Sequence, residues 1–140
     1  YYTVPLGKAD VKRSGEDITV FCYGLMVNYC LQAADILASD GIDVEVVDLR
    51  TVYPLDKATI IERSQRTGKV LLVTEDNLEG SIMSEVSAII AENCLFDLDA
   101  PIMRLAAPDV PSMPFSPTLE NEIMMNPEKI QDKMRELAQF

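Results

Sequence analysis

The densest run of side chains able to move a proton or hold a cation is Glu75-Asp76-Asn77-Leu78-Glu79-Gly80-Ser81, directly after the apolar stretch Val70-Leu71-Leu72-Val73-Thr74. A loop that follows a buried strand and opens a helix lies at the carboxyl edge of an α/β sheet, where such folds build their sites. Its carboxylates suit accepting a proton, binding a cation or contacting a neighbouring subunit, and solvated acidic loops that do none of these are common. Gly80 and Ser81 at the helix start could offer free amides to an anion, but three nearby carboxylates oppose it, so capping suits them better. A second cluster is Arg50 and Tyr53 within Leu49-Arg50-Thr51-Val52-Tyr53-Pro54-Leu55-Asp56. An Arg and a Tyr leaving a strand suit hydrogen bonding at an interface, or a loop packed on its own domain.

Several chemistries are excluded. The sequence has no His, so the commonest metal ligand and general base are both missing. Cys22, Cys30 and Cys94 show no CxxC spacing and sit in apolar or helical stretches, which reads as reduced, buried thiols. Gly24 is followed by Leu25, Met26 and Val27, where a dinucleotide fingerprint needs further glycines. Neither a phosphate-cradling GxxxxGK[ST] loop nor a GxSxG nucleophile elbow occurs. With 23 Asp plus Glu against 12 Lys plus Arg, the chain lacks the basic face that nucleic acid requires. A basic protein partner fits this excess, as does plain solubility.

Strands and helices must position these residues. Ala9-Asp10-Val11-Lys12-Arg13 alternates, Ser14-Gly15-Glu16-Asp17 supplies a turn, and Ile18-Thr19-Val20-Phe21-Cys22-Tyr23 follows, which predicts a hairpin whose first arm is an edge strand. Val27, Cys30, Leu31, Ala34, Leu37 and Ala38 recur at helical spacing, and Asp40-Gly41 closes that helix. Val44 to Leu49 is a β-branched strand, and Asp56 caps a helix from Lys57 to about Thr67 with Ile60 and Ile61 inward and Gly68 stopping it. A further helix with Ile82, Val86, Ile89 and Ile90 inward runs to about Cys94, and Ile102 to Ala106 is the last strand. Strands alternating with helical crossovers predict right-handed βαβ units and a mainly parallel sheet. Pro108, Pro111, Pro114 and Pro117 then force an extended surface strap. Asn126 and Pro127 start a closing helix whose stripe is Ile130, Met134, Leu137 and Ala138.

At 140 residues and 48% hydrophobic, the chain suits one domain with a single core and no disulfides. No apolar run approaches the roughly 18 residues of a membrane span, and no signal pattern precedes the first strand, so a soluble, cytoplasmic protein is expected. The opening Tyr1-Tyr2-Thr3 lacks an initiator Met, and the expectation is a piece of a longer chain, with residues 1–8 a linker from a missing N-terminal domain and 9–140 one domain.

The stretches VPLGKADVKRSGEDITVFCYGLMV, GIDVEVVDLRTVYPLDKATI, TGKVLLVTEDNLEGSIMSEV and LDAPIMRLAAPDVPSMPFSP, taken in order, resemble the C-terminal domain of β subunits in 2-oxo acid dehydrogenase decarboxylating components. EGSIMSEV and CLFDLDAPI look most like the bacterial branched-chain (2-oxoisovalerate) group, with the pyruvate- and acetoin-directed relatives and a free-standing small-molecule-binding α/β module as alternatives. Many relatives carry a His where this chain has Asn28, so no imidazole role carries over. The resemblance implies a three-layer α/β/α sandwich of about five strands, mainly parallel with one antiparallel edge strand, like the transketolase C-terminal domain. It implies thiamine diphosphate and Mg in the full enzyme, held outside this fragment, which would by itself be inactive. It also implies an α subunit and a second β subunit as partners in a heterotetramer, and a basic peripheral subunit-binding domain of the lipoyl-acyltransferase. By motif position, Asp97, Asp99 and the carboxylate of Phe140 are the expected docking charges. Arg50, Tyr53, Glu75, Asp76 and Leu78 are the expected subunit contacts.

Overall fold

The computed structural model describes residues 1–140. In chain order the elements are β1 (Asp10–Arg13), β2 (Ile18–Cys22), α1 (Leu25–Ser39), β3 (Val44–Asp48), α2 (Lys57–Thr67), β4 (Val70–Asn77), α3 (Ile82–Cys94), a 3-10 turn (Leu95–Asp97), β5 (Met103–Ala107), α4 (Pro117–Ile123) and α5 (Pro127–Ala138). The strands form one sheet in the order β1-β3-β2-β4-β5. β2 to β5 are parallel to one another and β1 lies antiparallel on β3.

Period-two alternation sorts the side chains into two cores. Ile18, Val20 and Cys22 of β2, Val44 and Val46 of β3, and Leu71 and Val73 of β4 face α1 and α5. Phe21, Val47, Val70 and Leu72 face α2 and α3. The helices answer with stripes one turn apart: Met26, Cys30, Ala33, Ala34 and Leu37 on α1, and Ile130, Met134 and Leu137 on α5. Each of the large side chains so buried contributes about 1.5–3 kcal/mol relative to exposure. Cys22, Cys30 and Cys94 are all free and buried. Asn126 caps α5 by accepting from the Lys129 N–H at 2.8 Å, with Pro127 in its first turn. Gly68 ends α2 in the left-handed conformation, φ +67°.

Five expectations need correction. β1 and β2 do not form a hairpin, because β3 is inserted between them. Gly15 crosses the start of β3 so closely that a Cβ there would lie 2.3 Å from the Val44 carbonyl carbon, so the turn passes over β3 instead of folding back. The half-polar β1 thereby takes the edge, while the apolar β3 gains a neighbour on each side. β4 runs on through Glu75, Asp76 and Asn77, since a bulge carries its pairing with β5 to Asn77 opposite Ala107. β5 sits one residue later than the apolar run indicated. Pro117 does not extend the strap but starts α4, where a missing N–H costs nothing. On α1, Ala38 is exposed and Leu31 only half-buried, and Ile61 on α2 is likewise half-buried.

Two polar devices lock α2 to the sheet. The first is Glu45, a wholly buried carboxylate in β3. Its Oε2 lies 2.7 Å from Arg66 and 3.4 Å from Arg63, and its Oε1 lies 3.1 Å from the Thr19 hydroxyl. That hydroxyl is also 3.0 Å from Thr67 Oγ1, and Arg66 reaches on to Glu16. The second is Asp56, the cap of α2, which accepts from Thr59 Oγ1 at 2.8 Å, from Thr59 N–H at 3.3 Å and from Ala9 N–H at 3.1 Å. Burial pushes its pKa up most strongly of any single influence. The bonds from Thr59 and Ala9 and the charge of Lys8 together outweigh burial and hold it below its ordinary 3.8.

Removing one partner of a buried ion pair costs about 3–5 kcal/mol. Glu45→Ala is expected at the lower end, about 3 kcal/mol, because Arg63 and Arg66 can turn towards water. A urea midpoint lowered at unchanged slope is the expected readout, and a loss under about 1 kcal/mol would show that the cluster contributes little. The depressed Asp56 pKa makes its stabilisation complete well above the ordinary value of 3.8 and lost as pH falls through the lower folded-state value. Asp56→Asn should therefore lower stability at neutral pH and flatten the acid limb of an unfolding-against-pH profile. An unchanged acid limb would contradict this assignment.

Candidate functional site

Parallel strands with antiparallel helices sort the chain's loops onto two edges of the sheet. The carboxyl edge carries the connections after β2, β3 and β4. The strand order changes direction between β2 and β4, and there the Tyr23 hydroxyl and Thr74 Oγ1 meet at 2.9 Å. Arg50 adopts φ +58°, uncommon for a residue with a Cβ, and its N–H donates to Asp48 at 2.9 Å. Its guanidinium donates to Asp10 at 2.7 Å, and Lys12 sits 2.7 Å from the same carboxylate. The hydrogen bond from Lys12, with the charges of Lys12 and Arg50, holds the Asp10 carboxyl below its ordinary range against the opposing effect of burial. A cleft of about 610 Å³ opens here, lined by Gly24, Asn28, Lys12, Asp48 and Arg50 among others. Both of its cations are already paired with carboxylates.

Tyr53 protrudes beside Arg50, 90% exposed. With Val52, Leu55, Ile82 and Glu85 it borders a groove of about 410 Å³. Thr51 closes the loop by accepting from Gly7 N–H at 3.0 Å and donating to the Pro54 carbonyl at 2.9 Å. Glu75 and Asp76 are exposed at the end of β4, and the Leu78 carbonyl accepts from Arg104 at 3.1 Å. Arg50, Tyr53, Glu75, Asp76 and Leu78 thus share the carboxyl edge, although the Arg50 side chain is engaged within its own domain.

Asp97, Asp99 and Phe140 lie at the opposite, amino edge. The Asp99 N–H donates to the Gly68 carbonyl at 2.8 Å, and Asp97 accepts from Gln65 at 2.9 Å. Lys69, the next residue after Gly68, donates to the Ala138 carbonyl at 3.2 Å and so ties in the chain end that carries Phe140. Neighbouring residues after α2 therefore hold both parts of the expected docking set at one end of the sheet. Burial, and then the Asp97 charge, raise the pKa of Cys94 and keep it a neutral thiol.

Sequence reasoning missed two features of this edge. Glu45 in a β-branched strand gave no signal beyond being one charge among apolar neighbours. Leu95 and Phe96 extend from the turn after α3, 59% and 100% exposed. Their signal was an apolar pair placed after the helix ends, where no stripe needs it.

Residues 7–130 match the family described as transketolase, C-terminal domain. The chain is 67% identical to the 2-oxoisovalerate dehydrogenase subunit beta of Bacillus subtilis (strain 168), over 99% of this chain and 42% of that protein. It is 44% identical to the pyruvate dehydrogenase E1 component subunit beta of the same organism, over 99% of this chain and 42% of that one. A split gene transketolase, solved as an inactive beta4 tetramer, superposes with a TM-score of 0.86 at 22% identity over 99% of this chain and 44% of that one, a likeness of fold. The chain spans under half the length of these relatives. With the five-stranded sheet and its antiparallel edge strand in place, the match over most of the length means that this chain belongs to the transketolase C-terminal domain family.

Proposed function

We propose that this chain serves as the assembly and docking domain of a branched-chain 2-oxo acid dehydrogenase β subunit. The observation that carries the reading is the gathering of Asp97, Asp99 and Phe140 at the amino edge, through the bonds of Gly68 and Lys69. A formal net charge of −11 favours a basic partner over an acidic one, and the basic peripheral subunit-binding domain of a lipoyl-acyltransferase is that partner. The 67% identity to a 2-oxoisovalerate dehydrogenase subunit beta, against 44% to a pyruvate dehydrogenase counterpart, supports the branched-chain substrate class. The whole enzyme would decarboxylate a branched-chain 2-oxo acid oxidatively in the cytoplasm and pass the acyl group to the lipoyl carrier.

Thiamine diphosphate and Mg do not fit the residues present. No three Asp, Glu, Cys or His side chains cluster as metal ligands. Lys12 and Arg50, the cations of the largest cleft, are paired with Asp10 and Asp48, and the end of β4 with the turn after it carries Glu75, Asp76 and Glu79. A diphosphate at this edge would meet neutralised cations and repelling carboxylates. The cofactor site belongs to the rest of the enzyme, and the carboxyl edge, with Tyr53, Leu78, Glu75 and Asp76, faces the α subunit and the second β subunit. Residues 1–8 serve as the link to the preceding domain.

Calorimetric titration with the subunit-binding domain of a branched-chain acyltransferase, at low and high salt, tests the docking role. Binding should weaken steeply with salt, and Asp99→Ala should lose at least tenfold, about 1.4 kcal/mol. No binding at either salt would remove the docking role and leave the domain to subunit assembly alone.

A further inference from the structure

The amino edge holds an apolar feature that the docking charges do not account for. The 3-10 turn Leu95–Asp97 carries Phe96 entirely in solvent, with Leu95 59% exposed beside it. A fully exposed phenylalanine gains nothing from the fold that carries it, since its ring is removed from water by no contact in this domain. The turn beneath it is nonetheless firmly set. Cys94 is buried at its start with its thiol 3.7 Å from the Ile61 carbonyl, Asp97 is bonded to Gln65, and Asp99 is bonded through its N–H to Gly68. The backbone that presents Phe96 is therefore fixed on both sides by α2.

We infer that Phe96, supported by Leu95, is the apolar anchor of the docking face, and that its partner presents an apolar pocket bordered by basic side chains. The inference rests on the docking role proposed above and specifies what the partner surface must look like. Charge complementarity selects this occupant. Asp97 directly follows the ring and Asp99 lies two residues further on. The carboxyl ends of α1, α2, α3 and α5 all point to this edge, and each adds a partial negative charge. A second copy meeting this face symmetrically would set Asp97 and Asp99 against their own counterparts, whereas a basic module would be attracted to them. Interfaces commonly combine one aromatic seated in a dry pocket with charges at the rim, and the aromatic governs how long the complex lasts. Phe96 has the geometry for the first part, and Asp97 and Asp99 for the second.

Titration of the chain with the basic subunit-binding domain, using Phe96→Ala, Phe96→Leu and Asp99→Ala, tests the anchor. Phe96→Ala should weaken binding tenfold or more while the dependence of affinity on salt keeps its slope, and Phe96→Leu should recover most of the loss. The heat-capacity change on binding should become less negative in Phe96→Ala, as expected when less apolar surface is buried. The thermal midpoint of the free chain should not move, because the ring packs on nothing. Phe96→Ala binding within twofold of the parent, with Asp99→Ala weakened, would overturn the anchor and leave the docking role standing. Failure of the parent chain to bind would overturn both together. Self-association that depends on Phe96, without binding of the basic module, would overturn the assignment of partner.

Discussion

A sheet built from parallel strands needs both of its faces covered, and β2, buried at every position, is where that requirement acts most strongly. Crossovers must then place helices on both sides. α1 and α5 cover one face, and α2 and α3 the other. Because each helix runs opposite to the strands, helix amino ends collect at the carboxyl edge and helix carboxyl ends at the amino edge. The two edges acquire different electrostatic character before any particular side chain is considered. The side chains then refine this difference. Arg50 and Lys12 face Asp10 and Asp48 at one edge, while Asp97 and Asp99 stand at the other.

This separation permits a division of tasks. The carboxyl edge, where α/β proteins ordinarily bind small ligands, is occupied by internally paired charges, a protruding Tyr53 and an apolar groove. Such a surface suits permanent contact with other subunits. On the proposed docking role, the amino edge with Asp97 and Asp99 would receive the partner at the end of the sheet opposite Tyr53 and Arg50.

Much of the fold was legible because local signals agreed with tertiary demands. The Asp56 cap and the Asn126-Pro127 start are local devices, and they stand where the sequence placed them. The Gly68 stop is a third. The hairpin expectation failed because pairing is a long-range property: a turn signal at Ser14 to Asp17 marks where the chain reverses, not which strand lies beside it. Only the demand of apolar β3 for two neighbours decides that β1 moves outward. The acidic run after Thr74 has the composition of a loop, because a bulge that prolongs a strand has no composition of its own. Of the site, the charges could be named from motif position, but Phe96 could not. In a sequence, an apolar residue after a helix looks the same whether it turns inward or outward.

On the proposed docking role, α2 is the element that would link fold to docking. Its first turn, capped by Asp56, fixes the lead-in to β1 through Ala9. Its last turns hold Glu45 through Arg63 and Arg66, Asp97 through Gln65, and Asp99 through the carbonyl of Gly68. The fit at Gly68 is tight: a Cβ there would stand 2.5 Å from the Asp99 carboxylate. Binding faces lose affinity when loops and side chains must be ordered on association, and a loop already held by its neighbours avoids that loss. The buried Glu45 cluster belongs to the same logic. A wholly buried carboxylate is weak evidence for stability gained, since an apolar replacement of the whole pair is often as good. What it does provide is a tie in this placement of α2 on β3, where Glu45 meets Arg63, Arg66 and Thr19 together. Fixing that placement fixes Gln65 and Gly68, and with them the carboxylates and the phenylalanine at the amino edge.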